Sequence, residues 1–152
     1  MNISAKELGL ELMEVAEAAY LTTINGEGFP ETRAMFNLRR KEQFPGLGDF
    51  FQAHGDDFQV YFTTNTSSRK IEQIKANAGS SVYYCWPGEW RGLNLVGNIE
   101  LIEDPEVKKA LWHDGWEMYY PGGYQDPDYA VLSIRPRFAR YYHQLPMFQL
   151  DF

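Results

Sequence analysis

The residues best suited to chemistry lie together in Tyr61-Phe62-Thr63-Thr64-Asn65-Thr66-Ser67-Ser68-Arg69-Lys70-Ile71. A β-branched, aromatic run ends there, hydroxyl and amide side chains crowd a tight connection, and a helical pattern begins. Arg69 and Lys70 fall in the first turn of that helix. Backbone partial charge at a helix start is positive and disfavours cations by roughly 0.3 kcal/mol or more. The placement becomes favourable if an anion occupies the same point. Backbone N–H groups, the Ser67 and Ser68 hydroxyls, a guanidinium and an ammonium then converge on one phosphate. An isolated Ser-Arg-Lys reads more naturally as a solvated pair behind a serine N-cap. The Thr-Asn-x-x-Ser-Arg-Lys context, following a strand, favours the anion site.

Other reactive residue types do not assemble into a motif. His54, His113 and His143 are far apart in sequence and none has a ligand partner at i+3 or i+4, so structural or surface roles are expected. Cys85, within an apolar run, reads as a packed residue rather than a nucleophile. No G-x-S-x-G elbow, Walker loop or G-x-G-x-x-G fingerprint occurs. Trp112 and Trp116 stand one helical turn apart, with core or subunit packing slightly favoured over ligand contact. Trp86 and Trp90 flank a Pro-Gly turn. Arg135, Arg137 and Arg140 read as a solvated strand edge, although a place near a ligand or partner subunit stays open.

The elements that must position the anion segment follow from periodicity. Ser4-Ala5-Lys6-Glu7 fits a capping box, and Leu8, Leu12, Val15, Ala16 and Ala19 predict a helix over roughly 5–17. Strands are predicted at 20–24 and 32–38, joined by the Asn25-Gly26-Glu27-Gly28 turn. In the second strand, Thr32, Ala34, Phe36 and Leu38 share one face and Arg33, Met35 and Asn37 the other. Residues 39–57 read as a long surface connection with a helical turn near 49–53. A strand at 58–64 leads into a helix at 67–77, which Gly79 is placed to end. Strands follow at 81–86 and 93–102, with Gly97 marking a bulge or a close approach. Asp104-Pro105 starts a helix expected to reach about residue 119. Two last strands, 129–134 and 138–143, are divided by Arg135-Pro136-Arg137. The order predicts a mainly antiparallel sheet closing into a small barrel.

Composition bounds the partners. The 152 residues suit one domain, and 44% hydrophobic with 23% charged residues describes a globular chain. A formal charge of −7 argues against nucleic acid or an anionic membrane surface, while leaving room for a small anion in a local basic pocket. The single cysteine excludes an internal disulfide framework. No apolar stretch reaches membrane-spanning length, the N-terminus carries no leader pattern, and a cytoplasmic location is expected.

The segment Thr64-Asn65-Thr66-Ser67-Ser68-Arg69-Lys70 resembles the phosphate-binding segment of pyridoxamine 5′-phosphate oxidase and its relatives, the FMN-binding split-barrel proteins. The resemblance extends to Arg33-Ala34-Met35 and to Leu95-Val96-Gly97-Asn98-Ile99-Glu100 with Asp104. Trp112, Trp116, Tyr120-Pro121-Gly122-Gly123 and Asp126-Pro127-Asp128 are similar to the general stress protein branch of that superfamily. The resemblance implies a single six-stranded antiparallel split β-barrel over 1–152, mainly β with short helices, and a homodimer with two FMN molecules at the subunit interface. It implies Arg69 and Lys70 on the FMN phosphate, and Ser68 and Asn65 shaping that site. Arg33, Ala34 and Met35 would flank the isoalloxazine, Thr63 and Thr64 would touch the flavin, and Arg91 and Trp116 are further candidates. The activity implied is hydride or electron transfer by the flavin, with no catalytic side chain nominated. Gly92 stands where true pyridoxamine-phosphate oxidases carry a glutamine, and Tyr142 where the stress-protein branch often has tryptophan. The pyridoxal-phosphate-holding arginine-histidine segment has no counterpart in Arg140-Tyr141-Tyr142-His143-Gln144. True pyridoxamine-phosphate oxidation is therefore not expected. A non-catalytic flavin carrier or sensor, and the same fold holding a deazaflavin or haem, are the alternatives.

Overall fold

A computed structural model describes residues 4–152. Seven strands form one antiparallel sheet: β1 (Ala18–Ile24), β2 (Pro30–Phe36), β3 (Val60–Asn65), β4 (Gly79–Trp86), β5 (Arg91–Ile102), β6 (Tyr129–His143) and β7 (Met147–Asp151). The order is β2-β1-β4-β5-β6-β3, with β7 paired to β6 beyond the stretch that holds β3. The six strands of the main path curl into a half-barrel, the split barrel expected from the sequence. Its end strands, β2 and β3, approach each other without forming a ladder.

Alternation along the strands places Leu21, Val82, Tyr84, Leu93, Leu95, Phe62, Leu132, Ile134 and Tyr141 in the barrel interior. The helix α1 (Ala5–Val15) covers one end with Leu12 and Met13. Its capping box forms as predicted: Glu7 N–H donates to Ser4 Oγ, and Ser4 N–H to the Glu7 carboxylate. Buried Asn37 ties the end of this helix to the end of β2, its amide donating to the Met13 and Ala16 carbonyls at 2.8 and 2.9 Å.

A second, aromatic core lies beside the barrel, built from Phe44, Leu47, Leu111, Trp116, Tyr120 and Tyr129. It corrects the reading of 39–57 as a surface connection. Phe44 and Leu47 are buried, and α2 (Gly48–Gln52) stands where the helical turn was expected. Buried Arg39 pins the segment, donating to the carbonyls of His54, Asp57 and Gln59 and pairing with the Asp57 carboxylate at 3.1 Å.

Three further expectations change. The residues 129–143 form one strand rather than two. Pro136 is tolerated because residues 135–137 lie between the stretches of β6 laddered with β3 and β7, where the chain's contact on that side is the bond from Phe152 N–H to the Arg137 carbonyl at 2.9 Å. The register also shifts there, leaving Arg137 opposite no residue of β5, and Gly97 sits so close that a Cβ would lie 2.6 Å from the Arg135 carbonyl oxygen. The helix α4 (Pro105–Ala110) stops nine residues short of 119, because the chain turns through Gly115 at φ +101° and restarts as a single 3₁₀ turn at Trp116–Met118. Gly79 opens β4 instead of ending the preceding helix, α3 (Arg69–Ala76), whose C-cap is Asn77.

Candidate functional site

The unclosed seam between β2 and β3 opens as a groove of about 990 Å³. One wall carries Ala34, Met35 and Phe36 of β2. The other carries Thr63, Thr64 and Asn65 of β3 with Lys70 of α3. Trp116, Met118, Tyr119 and Tyr120 close one side, and Glu17, Arg40 and Gln43 the rim. This volume lies at the upper end of what small-molecule sites occupy.

Lys70 is the best-defined polar group here. It is half-buried, and its Nζ donates to Thr64 Oγ1 at 3.0 Å and Ser68 Oγ at 2.7 Å. Burial, and then the nearby Arg33 charge, hold its pKa below the ordinary lysine value of 10.5. Arg33 points inward from β2, across β1. Its guanidinium donates to buried Thr23 Oγ1 at 2.6 Å, and at 3.4 Å to the Leu21 carbonyl and to Gln73 Oε1. Burial also lowers its pKa, against the opposing pull of Glu31. Two cations thus sit side by side, each held by neutral acceptors. Among the described residues, Arg33, Arg69 and Lys70 form no ion pair.

The connection before α3 is braced from outside the sequence motif. Asp128 accepts from Thr66 Oγ1 and Ser67 N–H, both at 2.9 Å, and from Ser67 Oγ at 3.3 Å. The Ser67 backbone bond and then the Thr66 hydroxyl hold the Asp128 carboxyl below its usual value of 3.8. Ser67 is therefore turned to Asp128, contrary to its expected place on the anion. Ser68 is the N-cap of α3, with its hydroxyl turned to Lys70 rather than to the helix N–H groups. Asn65 accepts from the Tyr120 hydroxyl at 3.2 Å, which joins the aromatic core to the same connection. Arg69, the first residue of α3, is exposed and is not part of the groove lining.

Most of the candidates named from sequence converge: Arg33, Ala34, Met35, Thr63, Thr64, Asn65, Ser68 and Lys70 lie on or directly behind the groove. Arg33 is not on the groove lining itself; it lies behind it, near enough to Lys70 for its charge to lower the lysine pKa. Trp116 lines the groove but is mostly core, buried and stacked on Phe36 at 6.3 Å and edge-on to Trp112 at 6.0 Å. Arg91 does not join the group. Its buried guanidinium donates to Tyr141 Oη at 3.1 Å and the Leu8 carbonyl at 3.2 Å, and lies 3.6 Å from Glu89 and 3.9 Å from Glu11. It fastens α1 to the barrel. Sequence reasoning missed Thr23, Gln73 and Asp128, whose roles arise only from pairing across the fold. It also gave no role to Met118, Tyr119 and Tyr120 and missed Arg40 and Gln43, which sit in loops without periodic signal.

A neighbouring concavity of about 670 Å³ shares Glu17, Ala18 and Arg40 with the groove and includes Cys85, Trp86 and Tyr20. Burial pushes the Cys85 thiol up, so it is a poor nucleophile. Its two cations, Arg40 and Lys41, are ion-paired with Glu42 at 3.4 Å and Glu14 at 3.0 Å, unlike Arg33 and Lys70.

The same architecture occurs in known proteins. The sequence pattern of the "Pyridoxamine 5′-phosphate oxidase like" family matches residues 49–147. A solved structure from Clostridium acetobutylicum, described as related to general stress protein 26 and of the pyridoxinephosphate oxidase family, is 32% identical. The alignment covers 98% of this chain and 96% of that one, with a TM-score of 0.75. A heme-binding protein from Mycobacterium smegmatis shares the fold at 14% identity, covering 99% of this chain and 59% of that one, TM-score 0.70. So does a pyridoxamine 5′-phosphate oxidase-related, FMN-binding protein from Nostoc punctiforme, at 15% identity, covering 95% and 82%, TM-score 0.63. No curated protein sequence matches the chain. With the family pattern spanning the groove's β3–α3 wall, and a third of residues shared with a relative over nearly the whole length, the chain belongs to the pyridoxamine 5′-phosphate oxidase-like family.

Proposed function

We propose that the seam groove binds FMN and that the protein is an FMN-dependent oxidoreductase working as a homodimer. The observation that carries this reading is the Arg33–Lys70 pair: two partly buried cations near enough for one to lower the other's pKa, hydrogen-bonded only to neutral groups, with Lys70 opening on a groove large enough for a ring system. Such a pair is stabilised by an anion, and a dianionic phosphate offers both charge and acceptor oxygens enough for two cations. Lys70, Ser68 and Arg69 hold the phosphate, with Arg33 behind them and Asn65 shaping the connection. Ala34, Met35, Thr63 and Thr64 lie along the ring, and Trp116 borders it. FMN, when bound, supplies two-electron redox chemistry, while these side chains bind it, orient it and limit its contact with water.

Oxidation of pyridoxamine phosphate is disfavoured by Gly92. It lies under the hydrogen-bonded Tyr83 and Tyr142 hydroxyls, and any side chain there collides with both tyrosines. A glutamine has no room at this position. The homodimer is supported by the outer face of the sheet. The cross-strand row Ala34, Tyr20, Tyr83, Asn94, Arg140 carries one charge along five strands, an unusual face for a surface left to water.

The test is a titration of purified protein with FMN and riboflavin, read by flavin fluorescence, with light scattering on the loaded protein. FMN binding at least tenfold tighter than riboflavin, on a dimer, is expected. Equal affinities remove the phosphate site, and a monomeric holoprotein removes the dimer. A Soret band in the purified protein in place of flavin absorption transfers the groove to haem. Bleaching of bound FMN by NADH or NADPH separates an oxidoreductase from a carrier.

A further inference from the structure

The cation pair has a carboxylate within reach that does not neutralise it. Glu31 and Arg33 are two residues apart on β2, so their side chains leave the same face. Glu31 acts electrostatically on Arg33, yet the two form no ion pair. Gln73 stands between them. It is one helical turn beyond Lys70 on α3 and so shares its inward face. Its Nε2 donates to Glu31 Oε2 at 2.8 Å. Its Oε1 accepts from Thr23 Oγ1 at 2.5 Å and from Arg33 Nη2 at 3.4 Å. The amide can point only this way: a guanidinium only donates and a carboxylate only accepts, so the amide oxygen must face Arg33 and the NH₂ must face Glu31. An amide matches both neighbours at once. A carboxylate would attract Arg33 and repel Glu31, and an apolar side chain would satisfy neither.

We infer that Gln73 is a positioning residue that holds Glu31 away from Arg33, keeping the Arg33–Lys70 pair unneutralised for a phosphate group. The inference rests on the FMN reading of the groove. Without the Gln73 amide, the Glu31 carboxylate is free to turn to Arg33, which shares its face of β2 and already feels its charge. An Arg33–Glu31 ion pair then competes directly with the ligand's phosphate.

The experiment compares Gln73→Ala, Glu31→Gln, the double variant and Gln73→Glu with the unaltered chain, using FMN and riboflavin as probes. Circular dichroism checks that each variant is folded. Gln73→Ala is expected to weaken FMN about tenfold and to leave riboflavin within about twofold. In the double variant, FMN affinity returns to within about threefold of the Glu31→Gln value, because no carboxylate remains to capture Arg33. Gln73→Glu, nearly isosteric, weakens FMN at least as much as the alanine, and it decides the matter if the alanine variant does not fold. A simple packing role predicts instead a loss that Glu31→Gln does not restore. That result overturns the inference, as does an unchanged FMN affinity or an equal loss for riboflavin. If the unaltered chain itself fails to prefer FMN over riboflavin, the phosphate site and this role fall together. If it does prefer FMN and the rescue fails, only the role of Gln73 falls.

Discussion

Lys70→Ala is the sharpest probe of the cationic end. Lys70 Nζ is half-buried and held by two hydroxyls, Thr64 at 3.0 Å and Ser68 at 2.7 Å. Both hydroxyls can donate as well as accept, so removing the ammonium strands neither, and the fold is expected to survive. What is lost is a charge-assisted contact to phosphate in a partly desolvated site, about 2 kcal/mol. At about 1.4 kcal/mol per decade, FMN affinity falls roughly thirtyfold. Arg69 is exposed and unengaged, so its contact is solvent-screened, and Arg69→Ala is expected to cost under about 1 kcal/mol, less than fivefold. Riboflavin lacks the phosphate and is expected to bind both variants as it binds the unaltered chain. The assay is parallel fluorescence titration with the two flavins at low and moderate salt. The Arg69 effect shrinks with salt more than the Lys70 effect, because screening acts mainly on exposed charges. A Lys70→Ala variant that loses riboflavin and FMN equally refutes the assignment, and so does an Arg69 effect larger than that of Lys70.

The pH dependence of FMN binding follows from the same group. The folded pKa of Lys70 lies below the unfolded value of 10.5, so between the two the unfolded chain holds more protons and the ligand-free protein gains stability from this residue as pH rises. A phosphate prefers the ammonium form. The FMN-induced rise in melting temperature is therefore largest below the ligand-free folded pKa and begins to shrink before pH 10.5, and a rise undiminished up to that pH counts against the contact. Arg91→Ala leaves the buried Tyr141 hydroxyl without its donor, removes the second bond to the Leu8 carbonyl and opens a cavity under α1; it is expected to cost about 3 kcal/mol, lowering the melting temperature by roughly 10 °C. The FMN-to-riboflavin affinity ratio in that variant stays as in the unaltered chain; a selective loss of FMN would return Arg91 to the cofactor site.

What could be read from sequence was what is local. The capping box of α1, the alternation of β2 that turns Arg33 and Met35 inward, and the hydroxyl-rich entry into α3 each depend on neighbours within a few residues. Local pattern determines those. The errors have the opposite origin. Pro136 breaks a strand by every local criterion, yet β6 continues through it because neither β3 nor β7 pairs with that stretch. The residues 39–57 look like solvent-facing loop, yet Phe44 and Leu47 enter a second core whose other half, Trp116 to Tyr129, comes from a distant part of the chain. The anchoring of Arg91 is equally non-local, since its Tyr141 and Leu8 partners lie fifty and eighty-three residues away.

The site itself shows the same division. Cations at the start of α3 are unfavourable in the local field, and that much is visible in one dimension. The arrangement that makes use of them is not. It requires β2 and β3 to be the two ends of a sheet that curls without closing, so that Arg33 arrives beside Lys70 from thirty-seven residues earlier in the chain. It also requires Gln73 and Thr23 to supply neutral acceptors where a carboxylate would have been more stabilising to the empty protein. The pKa of Lys70 is lowered first by burial and then by the Arg33 charge, and that second part reflects the repulsion that persists instead. A ligand phosphate relieves that repulsion in the folded state and has no equivalent site in the unfolded one, so binding and stability are linked through the same two cations.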